Sequence, residues 1–302
     1  MSRRSAGFAL IAVLWALVLV GGIAGIFLAE SRHLLRASDN RNAELRARQA
    51  ALAGLARAQN GMERLQAWTL DPATQRDARS RARTLAAWNH LDSVFAAVAQ
   101  ECLGTGCVAF RVRDAGSRVN VNRVGEQQLE SFFRALGIEQ EQARVAAASI
   151  AERNGPLASL EQLRRIPGVD AALFARAAPY LTVEGEGTIN LNTAPLPVLA
   201  ALPGMSLEMA QVITDARADG VIFTSLFDVW RRFSADARAR LPEHSAELLR
   251  VASFEPQMIE VTSVGSAPGS PIRVAARAVY RRVGERVVEI KRSRPEPSVR
   301  AS

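Results

Sequence analysis

The chain has 302 residues, 48% of them hydrophobic, which excludes a disordered polymer and suffices for one large or two modest domains. Its formal charge of +8 invites a nucleic-acid or membrane partner, to be judged by where the charge lies. With two cysteines, three scattered histidines and no HExxH, GxSxG or GxxxxGK[ST] run, no local signature of a catalytic site is present, and the expectation is that the protein is not an enzyme.

Phe8 to Ala29 carries no charged residue. As a helix it spans about 33 Å, enough for a hydrocarbon core of about 30 Å. A short stretch with Arg3 and Arg4 precedes it; a secretory signal usually has a shorter apolar region with a small-residue cleavage site after it, and here the run is longer, with an ordinary uncleaved signal anchor as the alternative. Arginines on both sides leave its orientation open, and by count alone the body would be cytoplasmic. The helical pattern then continues. Leu45, Leu52, Leu55, Met62 and Leu65 fall on one face, and Asp71-Pro72 supplies a stop. One helix from about residue 8 to 68 is on the order of 90 Å long.

Gly7-Phe8 after a basic leader, before some twenty apolar residues, resembles the start of type IV pilin-class proteins. The resemblance implies cleavage between Gly7 and Phe8 by a prepilin peptidase. Major subunits carry Glu at the fifth mature position; here that position is Ala12. This implies a subunit that cannot neutralise the N-terminal amine of a neighbour above it.

Residues 117–250 contain an internal repeat. Val119-Asn120-Val121-Asn122 opens one copy and Ile189-Asn190-Leu191-Asn192 the other. Gly137 and Gly204 are each followed six residues on by alanine, Ala143 and Ala210. Leu136-Gly137-Ile138, Ile166-Pro167-Gly168-Val169 and Leu202-Pro203-Gly204-Met205 suit tight turns between helices, with Ser159 and Ser225 as N-caps. The pattern resembles helix-hairpin-helix modules, so a membrane-tethered DNA-uptake protein is the alternative function. Residues 123–252, however, hold 13 arginines against 16 acidic residues, a net charge of −3, which does not suit phosphate neutralisation. A membrane-anchored hydrolase of unfamiliar type is a third possibility, with no motif behind it.

Alternating residues predict strands over 108–112 and 118–121, and again over 258–264, 272–283 and 286–291. The simplest arrangement joins 108–121 and 258–291 in one antiparallel sheet on the long helix. Cys102 and Cys107, separated by Leu103-Gly104-Thr105-Gly106, suit a disulfide in an oxidising compartment. Residues 292–302, rich in Pro, Ser and Arg, look like a disordered tail.

Pilin-like helix, sheet and duplicated helical insertion, with the run INLNTAPLPVLAALPGM, together resemble protein K of the type II secretion system, the GspK family of minor pseudopilins. Asn190, Asn192, Thr193, Ala194, Pro195, Pro203 and Gly204 carry the motif. The resemblance implies an α+β fold with six parts: a leader at 1–7, a transmembrane segment at 8–29, pilin-like helix and first strands at 30–122, an inserted helical domain at 123–252, the remaining sheet at 253–292 and a flexible tail at 293–302. It implies a subunit at the pseudopilus tip, anchored in the inner membrane with its body in the periplasm. Its partners would be the minor pseudopilins lettered I and J, the major pseudopilin, the inner-membrane platform and prepilin peptidase, with no nucleic acid. No cofactor is required; structural calcium belongs to the family, and its ligands are not assigned in this sequence.

Overall fold

A computed structural model describes residues 4–297, and at some positions in the first helix, at 103 and at 240–242 it describes the backbone alone. That helix, α1, runs unbroken over Arg4–Leu70. It ends where Asp71 caps the next short helix, accepting from the N–H groups of Ala73 and Thr74, with Pro72 in its first turn. Met1 to Arg3 of the expected leader, and the side chains of Phe8 and Ala12, lie outside the described residues. So does part of the expected span 8–29. Among the described residues no helix is long and apolar enough to cross a membrane.

The buried stripe of α1 is Ala47, Ala51, Leu55, Ala58, Met62 and Leu65, while Leu45 is exposed and Leu52 only partly covered. The stripe expected through Leu45 and Leu52 is therefore rotated toward the alanines. Closeness of approach is the reason. A Cβ on Gly265 would lie 2.0 Å from the Ala47 carbonyl oxygen, and one on Gly54 would strike Ser263 and Val108. Large side chains cannot enter where helix and sheet backbones nearly touch.

Ten strands follow among the described residues: β1 (Gln100–Leu103), β2 (Gly106–Asp114), β3 (Val119–Asn120), β4 (Leu181–Thr182), β5 (Ile189–Asn190), β6 (Ala252–Ser253), β7 (Met258–Ser266), β8 (Arg273–Val283), β9 (Arg286–Arg292) and β10 (Glu296–Pro297). The main sheet is antiparallel in the order β1-β2-β7-β8, and β8 is flanked along its far edge by β9 and β10. Phe110, Val112, Ile259, Val261, Ala276, Ala278 and Tyr280 alternate onto the α1 side and form one core with it.

Two expectations are corrected. Residues 119–120 leave the sheet and pair in parallel with β4, because the chain turns at Asp114-Ala115-Gly116. The tail is ordered as far as it is described: Ser293 bonds the backbone of Arg277, and β10 pairs with β8.

The helical body has a separate core from Val119 to Leu248. This core starts ahead of residue 123, and partly buried residues extend it to Phe254, since the short strands β3 and β6 that frame it belong to its packing. Both copies use one scaffold. β3 pairs in parallel with β4, and β5 with β6. Asn120 and Asn190 each accept from the N–H two residues on, at 2.9 and 3.0 Å. Asn122 brackets Leu157, accepting from its N–H and donating to its carbonyl; Asn192 brackets Phe223 in the same way. Gly137 and Gly204 both take positive φ, 72° and 70°, in the turns that lead from one helix to the next. Ser225 caps its helix; Ser159, at the head of a 3-10 turn, makes no capping bond.

Candidate functional site

The two bodies meet at Asp114, the last residue of β2. In a sequence it reads as a turn residue, and one of its oxygens does hold the turn, accepting from the Gly116 N–H at 2.8 Å. The other oxygen faces the second repeat. It accepts from Asn190 Nδ2 at 2.7 Å and from Thr193 Oγ1 at 2.6 Å. Asn190 Nδ2 also donates to Asn89 Oδ1, and Asn89 Nδ2 donates to the carbonyls of Leu85 and Phe254. A single network thus ties the helix Ala78–Asn89, the sheet and the helical body. Asp114 is 5% exposed, Asn190 0% and Asn89 8%, so the two bonds of the Asn190 amide are shielded from competing water, and the others are partly so. Burial pushes the Asp114 carboxyl up from the ordinary carboxylate range, against the pull of Thr193, Asn190 and Gly116.

The other motif residues serve this joint. Asn192 ties Phe223 to Phe254, the buried Ala194 receives Arg217 on its carbonyl, and Pro195 opens the next helix. Pro203 is buried, and His244 covers the Gly204 turn, with its ring 2.6 Å from where a Cβ would stand. At the first copy's turn Arg176 bonds the carbonyls of Leu136 and Gly137, and the Gly168 turn packs on Val145 and Ala146. These three hairpins therefore contact the chain itself. Cys102 and Cys107 face each other across the β1–β2 hairpin and are bonded. Gly7, Phe8 and Ala12 belong to the distant start of α1.

A groove of about 790 Å³ runs beside the joint, between Trp88, Tyr180 and Arg217. The only Asp in its wall that is buried is the saturated Asp114. Calcium, which the resemblance brings with it, finds no ligand set among the described residues: no group of three or more His, Cys, Asp or Glu side chains is placed to hold a metal. Glu184, Glu186 and Glu260 are each taken by a cation, Lys291, Arg281 and Arg118. Asn89 and Asp114 are the members of the joint that sequence reasoning missed. The signal that could have found Asp114 is an acid at the end of an otherwise alternating strand.

Residues 189–248, the second repeat from its Asn-x-Asn turn onward, match the family model described as Type II secretion system (T2SS), protein K. No curated protein matches. Among solved structures, the chain is similar in fold to a chain of the GspK-GspI-GspJ complex from enterotoxigenic Escherichia coli Type 2 Secretion System. The TM-score is 0.52 at 16% identity, over 67% of this chain and 83% of that one. The match to the protein K model and the likeness in fold to a chain of the GspK-GspI-GspJ complex thus point the same way.

Proposed function

We propose that the protein sits at the tip of a type II secretion pseudopilus, where it starts or caps assembly, in a structural and not a catalytic role. The observation that carries this reading is the joint at Asp114. It fixes a body built from two helical repeats onto the end of the pilin-like sheet, where a rigid mass obstructs a further subunit stacked above. Ala12 points the same way, since it offers no carboxylate to the amine of a subunit above. The similar solved chain comes from a complex of GspK with GspI and GspJ, so counterparts of GspI and GspJ are the partners expected here, beside the major pseudopilin and the inner-membrane platform. Anchoring by the apolar run 8–29, after prepilin-peptidase cleavage between Gly7 and Phe8, belongs to the same proposal, with the body in the periplasm.

The test is assembly in cells. Crosslinking from the mature chain should trap one copy with I- and J-type subunits at one filament end, and Gly7→Val should abolish both cleavage and assembly. Regular copies along the shaft, or normal secretion with an uncleaved N-terminus, would overturn the tip role.

A further inference from the structure

The face of the main sheet that turns away from α1 is basic along its length, and the chain answers that charge on only part of it. Near the helical body, the loop between β4 and β5 lays Glu184 on Lys291 and Glu186 on Arg281, two carboxylates at alternate positions on two cations. Arg118 is likewise met by Glu260. Further down, Arg111 and Arg113 of β2 and Arg277 of β8 line a groove of about 920 Å³, and all three are exposed. Among the described residues none of them is in an ion pair; Glu161 feels the charge of Arg277 without pairing to it. Arg111 and Arg277 flank Thr262 in one cross-strand row, and Arg113 stands beside Glu260 in the next.

We propose that this lower part of the sheet face is a docking surface for an extended acidic segment of a partner protein, one with Asp or Glu at alternate positions. Spacing and charge both argue for it. Arg111 and Arg113 are two residues apart on one strand face, about 7 Å, the advance of two residues in an extended chain. Four arginines against Asp92 and Glu260 leave the groove cationic, and Glu260 is already committed to Arg118. Arginine also suits carboxylates for geometric reasons, through its fork of donors. The loop at 184–186 shows, within this chain, how the same face receives two alternate glutamates. The inference holds whatever place the protein takes in the pseudopilus.

The probe is a fluorescein-labelled peptide alternating Glu with Thr, titrated against the purified full-length chain in detergent and followed by anisotropy. Binding should weaken with salt. The double variant Arg111→Gln/Arg113→Gln should lower affinity about tenfold with an unchanged unfolding curve. Thr262→Glu, which sets a carboxylate between the arginines, should do the same without removing either. Arg286→Gln, on the far strand, should leave affinity as it was. A peptide of equal composition with its glutamates in one block should bind more weakly. Absence of binding, wild-type affinity in both groove variants, or affinity for the blocked peptide or a DNA oligonucleotide equal to that for the alternating peptide would overturn the proposal.

Discussion

The two copies in the helical body open on the same turn and attach to different things. Asn120 spends its amide on the carbonyls of Glu184 and Gly185, within the loop that joins the copies. Asn190, its counterpart, turns the same amide outward, to Asp114 of the sheet and Asn89 of the helix behind it. The residues that follow diverge accordingly: Arg123 is exposed, while Thr193 reaches Asp114. Duplication preserved the internal bonds of the turn, because both copies must pair the backbone N–H groups that the turn leaves open. It left the outward bonds free to change, and the second copy became the attachment. The protein K family model falls on that copy.

The largest expected effect breaks the contrast directly. Asp114→Ala removes an acceptor shared by the donors of Asn190, Thr193 and Gly116 and should cost about 3 kcal/mol. Asn120→Ala should cost only about 1 kcal/mol, since it loses neutral hydrogen bonds within one turn and loop and removes no carboxyl shared by three donors. Denaturant unfolding followed by circular dichroism measures both, and equal losses would remove the distinction between anchored and self-contained turns.

The matched glycines sharpen it further. Alanine is strained at either, as both have positive φ. At Gly204 it also meets the His244 ring at 2.6 Å, whereas at Gly137 it meets only the flexible end of Arg176 at 2.9 Å. Gly204→Ala should therefore cost about 2 kcal/mol and Gly137→Ala about 1 kcal/mol. The paired difference in denaturation midpoint is the quantity to compare.

A smaller effect appears as pH changes. Burial raises Asp114 above its ordinary value of 3.8, so the folded chain holds that proton to higher pH than the unfolded chain. The stability it contributes is full below the unfolded value and is lost as pH rises through the raised one. Measured against Asp114→Asn, the wild type should thus lose stability as pH climbs from about 4 toward neutrality. Asn120 carries no titrating group, so the stability difference between Asn120→Ala and the wild type should stay flat over the same range.

The least effect is expected from DNA. Both copies keep their hairpins against the chain, through Arg176 and His244, and the region is net acidic. Gel shift of the full-length chain at about 0.1 M salt should show no salt-sensitive retardation attributable to the repeats, and unchanged behaviour in Gly204→Ala.

The sequence by itself determined what repeats locally. An unbroken run without proline specifies α1, alternation specifies the long strands, and two Asn-x-Asn openings with matched glycines specify the duplication. The short spacing of Cys102 and Cys107 is legible for the same reason: their partnership needs only a hairpin. Tertiary structure alone decided which face of α1 is buried, because the choice of Ala47 and Ala51 over Leu45 depends on glycine at position 265, more than two hundred residues away. It also decided that β3 would leave the sheet for β4, since a two-residue strand carries no period of its own. The joint at Asp114 lies in the same class. Its members come from positions 89, 114, 190 and 193, and each has an ordinary local role, in a helix, a turn or a motif. Only when folding excludes water from all of them at once must the carboxyl, the amides and the hydroxyl satisfy one another, and that requirement makes them a site.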